Sequence, residues 1–123
     1  MASFRKSERL NDKRAIDALF DRRSTSFKHF PLLFLLRSEV VKDRDTIQVL
    51  VSVPKKRLRK AVHRNLMKRR IRAAYQSVKE QLSDVIHEPM AIGFVYLAGE
   101  TMSYDRIQHS MVQFVDELSK TGK

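Results

Sequence analysis

Between residues 55 and 72 the sequence reads KKRLRKAVHRNLMKRRIR, ten Lys or Arg in eighteen positions with no Asp or Glu. Cations at this density suit neutralisation of phosphates rather than bond-breaking chemistry. Their spacing divides them. Counting about 100° per residue, Met67, Ile71, Ala74, Tyr75, Val78, Leu82 and Val85 fall on one side of a helix predicted over residues 64–85. Asn65, Lys68, Arg69 and Arg72, at i, i+3, i+4 and i+7, share a stripe on the other side. Lys68 and Arg72 repel each other four residues apart, so the apolar side must hold the helix together by packing. Lys55, Lys56, Arg57, Arg59 and Lys60 precede the helix as a loop beside its first turn, where open N–H groups and the helix dipole also favour a phosphate. Loop, first turn and stripe form one candidate surface for the backbone of a folded RNA. A localisation-type basic run, a merely solvated charged face and a helix for the DNA major groove are the competing readings. Against DNA, the chain has no second helix at helix-turn-helix spacing, no zipper heptads and no zinc ligands.

Other chemistries find little support. His29, His63, His87 and His109 show no metal-ligand spacing, and the three glycines form no phosphate-binding loop. Asp17, Asp21, Asp43 and Asp45 form no evident pair for metal catalysis by the protein and read as solvated surface. Without Cys there is no disulfide, thiolate site or cysteine nucleophile, which suits a reducing compartment. The formal net charge of +11 and the pI near 10.4 call for a polyanionic partner, nucleic acid ahead of an anionic membrane. Phe30 to Leu36 is too short to span a bilayer, and MASFRKSERLNDKR lacks the apolar stretch of a signal peptide. The expectation is a soluble cytoplasmic protein with no membrane partner.

The elements that must position this surface fit one domain of 123 residues, with residues 1–8 and 121–123 expected to be flexible ends. In NDKRAIDALFDRR, Asn11 is placed to cap a short helix that Leu10 precedes, with Ala15, Ile16, Leu19 and Phe20 on one face. FPLLFLLR and TIQVLVSV read as two strands joined by a charged turn; in the second, Ile47, Val49, Val51 and Val53 alternate with Thr46, Gln48, Leu50 and Ser52. After the basic helix come a polar linker and the strand MAIGFVYL. A last helix carries Tyr104, Ile107, Met111, Phe114, Val115 and Leu118 on one face, with Ser103 as its cap and Gly122 after its end. Helices interleaved with a small sheet make the fold α/β or α+β.

The run Lys60-Ala61-Val62-His63-Arg64-Asn65, followed by Lys68-Arg69 and Arg72, resembles the "RNR" signature of the bacterial ribonuclease P protein family. VSVPKKRLRKAV before it is similar to that family's strand and lysine-rich loop, and the resemblance extends from the first helix to the last. Leu66 departs from the usual basic residue, Ala73 from an acidic or polar one, and Ile16 from an aromatic.

The resemblance implies a small central sheet in the order α-β-β-β-α-β-α, with the basic helix in a left-handed βαβ crossover, against the usual right-handed preference. It also implies a third strand before that helix, near Ser24 to Phe27. It further implies a subunit that assists a catalytic RNA, in a 1:1 complex, in Mg²⁺-dependent removal of the 5′ leader from precursor tRNA. Mg²⁺ would be held mainly by RNA and substrate. Carried over by position, Arg64, Asn65, Lys68, Arg69 and Arg72 would contact the catalytic RNA, supported by Lys55, Lys56 and Lys60. Phe20, Phe34, Ile16 and Val49 would line a cleft for the single-stranded leader, where an aromatic stacks on a base of any identity. A structural RNA-binding protein of another ribonucleoprotein, such as the ribosome, is the alternative, and a DNA-binding regulator a weaker one.

Overall fold

The computed structural model describes residues 13–38 and 47–120. Leu10, Asn11, Asp43, Asp45, Thr46, Gly122 and both expected flexible ends lie outside the described residues. The elements are α1 (Lys13–Leu19), β1 (Thr25–His29), β2 (Leu32–Arg37), β3 (Ile47–Ser52), α2 (Ala61–Val85), β4 (Met90–Tyr96) and α3 (Tyr104–Lys120). This is the expected mixed α+β order, and β1 is the strand that the resemblance alone implied.

The four strands form one sheet in the order β1-β2-β4-β3. β1 and β2 pair antiparallel with Phe27 opposite Phe34, and β2 pairs antiparallel with β4 with Leu32 opposite Tyr96. β3 and β4 are parallel neighbours, Val49 opposite Ile92 and Ser52 opposite Val95, so α2 is the crossover between them. The period-2 alternation sorts the strand residues onto two faces. Leu32, Phe34, Leu36, Ile47, Val49, Ile92, Phe94 and Tyr96 form the larger core with Met67, Ile71, Tyr75, Val78 and Leu82 of α2 and Ile107, Met111, Phe114 and Leu118 of α3. Leu35, Ala91 and Val95 point the other way and meet Ala15 and Leu19 of α1. Gly93 lets α1 approach: a Cβ there would stand 2.9 Å from Leu19 Cδ2.

The basic helix begins at Ala61, three residues before its expected start, with Lys60 as an extended N-cap that makes no side-chain capping bond. Its first turn is set from the loop. Leu58 is buried, its N–H and that of Arg57 donate to the Pro54 carbonyl, and the His63 and Arg64 N–H groups both donate to the Lys60 carbonyl at 3.1 Å. α3 starts where its cap predicts, the Arg106 N–H donating to Ser103 Oγ at 3.2 Å. No helix among the described residues is long and apolar enough to cross a membrane.

Candidate nucleic-acid interface

The two-faced helix is present as the periodicity requires. Met67, Ile71, Ala74, Tyr75, Val78 and Leu82 are buried, while Asn65 and Arg69 are exposed and Lys68 and Arg72 half-buried on the other side. Lys55, Lys56, Arg57, Arg59 and Lys60 are all exposed in the turn that leads into the helix. Expected helix and loop cations therefore adjoin. Leu66, at the departure from the family signature, is half-buried and packs against the large core, so its position contributes to packing.

Arg64 has a more particular place. Its Nη1 donates to the carbonyls of Leu58 at 3.0 Å and Arg59 at 2.7 Å. A planar guanidinium bonded to two successive carbonyls ties the basic loop to the first turn of α2. The sequence pattern marks Arg64 as a cation but not as this tie. Arg70, absent from the expected contacts, also joins elements: its Nη1 donates to the Met102 carbonyl in the segment between β4 and α3.

The four expected cleft residues separate. Ile16 on α1 is half-buried, and Phe20, the residue that follows α1, is 50% exposed. Phe34 and Val49 are fully buried on the opposite face of the sheet, beneath α2 and α3. Their expected place in a leader cleft is therefore corrected: neither Phe34 nor Val49 has exposed surface on which a base could lie. The strand residues that do flank α1 are Leu33 and Leu50, half-buried beside Ile16 and Leu97. Each is sequence neighbour to a residue of the wrong face. Alternation alone separates Leu33 from Phe34, but which face α1 covers is decided by tertiary packing.

The end of α1, where Phe20 stands, is fixed by several donors. The Ala18 carbonyl accepts from Arg37 Nη1 at 2.7 Å, from Ser24 Oγ at 3.2 Å and from the Asp21 N–H at 3.0 Å. Asp21 in turn accepts from the Arg23 N–H at 3.0 Å and from its guanidinium. That backbone hydrogen bond, then the side-chain one, hold the Asp21 carboxyl below its ordinary pKa. On the other side of the sheet, burial first and the charge of Glu100 second push the Tyr96 hydroxyl up to about 12; it donates to the Glu100 carbonyl at 2.5 Å. Among the described residues no three His, Cys, Asp or Glu side chains cluster to hold a metal ion.

A four-stranded sheet with a cationic crossover helix, a basic loop tied to that helix and a short helix across the far face defines a compact α+β class of protein. Within it the chain belongs to the ribonuclease P protein family: the Ribonuclease P family model matches residues 4–119. The ribonuclease P protein component of Porphyromonas gingivalis is 34% identical over 109 residues, covering 86% of this chain and 79% of the relative. That of Chlorobium phaeobacteroides is 38% identical over 88 residues, covering 70% and 60%. In fold the chain is similar to a Staphylococcus aureus RNase P protein mutant with defective mRNA degradation activity, with a TM-score of 0.73 at 23% identity over 94% of this chain and 90% of that one. The Thermotoga maritima RNase P protein gives a TM-score of 0.68 at 20% identity, over 89% and 96%.

Proposed function

We propose that this chain is the protein subunit of a ribonuclease P, binding the catalytic RNA through its basic loop and α2 and assisting removal of the 5′ leader from precursor tRNA. The observation that carries this reading, beside family membership, is the joining of Lys55, Lys56 and Lys60 to the exposed Asn65 and Arg69 through the Arg64 bonds. A loop held in place loses less conformational freedom when it meets a phosphate backbone. Lys68 and Arg72 extend the same cationic stripe.

The chemistry of cleavage belongs in this reading to the RNA. Mg²⁺ would be held mainly by the RNA and the substrate. The chain's own contribution is charge neutralisation and positioning. On the α1 side, Phe20 and Ile16, with Leu33 and Leu50, supply the apolar surface on which unpaired leader bases would lie. One protein per RNA in the cytoplasm fits the role.

The decisive experiment mixes the chain with a bacterial ribonuclease P RNA and precursor tRNA at low Mg²⁺. Stimulated cleavage at the mature 5′ end is expected. Binding to the RNA without any stimulation would reduce the chain to a structural RNA-binding protein.

A further inference from the structure

The pairing of Leu32 with Tyr96 and of Ser52 with Val95 brings the β1–β2 turn to the same end of the sheet as the ends of β3 and β4. The basic loop, the start of α2, residues 97–103 and the start of α3 therefore gather there. Arg70 ties α2 to this segment at Met102, and the Leu97 N–H donates to the Pro31 carbonyl at 2.8 Å, tying the segment to the turn. In that turn Phe30 is 46% exposed, although Pro31 and Leu32 beside it are buried.

An exposed Phe alone is ordinary. Phe30 is distinguished by what fixes it. The Arg106 guanidinium lies over its ring, Cζ 5.9 Å from the centroid. Arg106 Nη1 also donates to Ser110 Oγ at 3.3 Å, and the fully buried Ser110 hydroxyl donates to the Phe30 carbonyl at 2.8 Å. A buried serine thus holds aromatic ring and cation in one arrangement. That single bond to Ser110 leaves most of the five N–H groups of Arg106 available to a phosphate.

We infer that Phe30 and Arg106 form a second RNA contact: a stacking platform for one unpaired nucleobase, with Arg106 facing its phosphate. It lies at the same end of the sheet as the basic loop and rests on the RNA-binding reading above. Aromatic stacking accepts any base, and the arginine adds attraction to the backbone.

The chain contains no Trp, so Phe30→Trp introduces a single indole reporter. Titrated with a bacterial ribonuclease P RNA, its fluorescence should quench along the binding curve measured in parallel by filter retention. Phe30→Ala and Phe30→Leu should each weaken affinity roughly tenfold and leave the slope of log K against log salt unchanged. Arg106→Ala should make that slope shallower by about 0.7 to 0.9, one phosphate contact. Circular dichroism and the urea midpoint check that each variant folds. RNA binding without quenching, or wild-type affinity in Phe30→Leu, overturns the platform and leaves the RNA reading standing. Failure of the wild-type chain to bind the RNA overturns both.

Discussion

Phe34 lies flat on Phe114, ring centroids 4.1 Å apart and planes 7° from parallel. The Phe94 ring meets it edge-on at 5.7 Å, and Phe34 has no exposed surface. The stack joins β2 to α3 across the large core. Phe34→Ala should therefore lower stability by about 3 to 5 kcal/mol, read as a fall in the urea midpoint. Where the variant is still folded, its preference for leader-bearing precursor over mature tRNA should be unchanged. A selective loss of that preference would put Phe34 back in the cleft.

Arg64 and Arg69 stand on the same helix and should fail differently. Removing Arg64 deprives the Leu58 and Arg59 carbonyls of their charged donor, so Arg64→Ala should speed tryptic cleavage after Lys55, Lys56 and Arg57 by about tenfold, the size of one charge-assisted bond. Arg69 is exposed. Arg69→Ala should leave the cleavage time course alone and make the salt dependence of RNA binding shallower by about one contact. Equal proteolysis in both variants would show that Arg64 does not hold the loop.

The two faces of α2 were legible because a 3.6-residue period places Met67, Ile71, Tyr75 and Val78 together wherever the helix packs. Its first residue was not, because Lys60 supplies no capping side chain and the start is set by the burial of Leu58 and the Arg64 tie. β1 escaped periodicity for a similar reason: TSFKH is a short edge strand, three of its five residues exposed. Phe34 and Val49 show the limit most plainly. Alternation separates Phe34 from Leu33 and Val49 from Leu50, but their assignment to a face depends on where α1 docks, and Gly93 permits that docking from a distant strand. The pairing of Phe30 with Arg106 likewise has no local signal, since a turn and a helix far apart in sequence must meet first.

Tyr96 makes alkaline stability measurable at one residue. Its hydroxyl is raised from 10.0 to about 12 in the folded chain, so between those values the native state keeps a proton that the unfolded state has lost. The native state binds more protons in that window, and stability must fall as pH rises through it. The stabilisation is fully present below pH 10.0 and lost above about 12. The whole loss amounts to roughly 2 to 3 kcal/mol. Tyr96→Phe should flatten that part of the stability profile, followed by urea unfolding at stepped pH. An identical slope in the variant would assign the alkaline loss to other groups.

Phe20 presents the opposite case to Phe34. It is 50% exposed at the end of α1, whose last turn is held by the donors from Arg37, Ser24 and Asp21 to the Ala18 carbonyl. The ring is thus presented by a fixed support yet contributes little burial, and Phe20→Ala should change stability by no more than about 0.5 kcal/mol. If the ring stacks on a leader base, the same substitution should weaken binding of leader-bearing precursor tRNA by roughly tenfold and that of mature tRNA hardly at all, with Phe20→Trp retaining the difference. Competition binding with the assembled ribonucleoprotein separates the two. Equal losses for precursor and mature tRNA would mean that Phe20 supports the fold of α1 and not the leader.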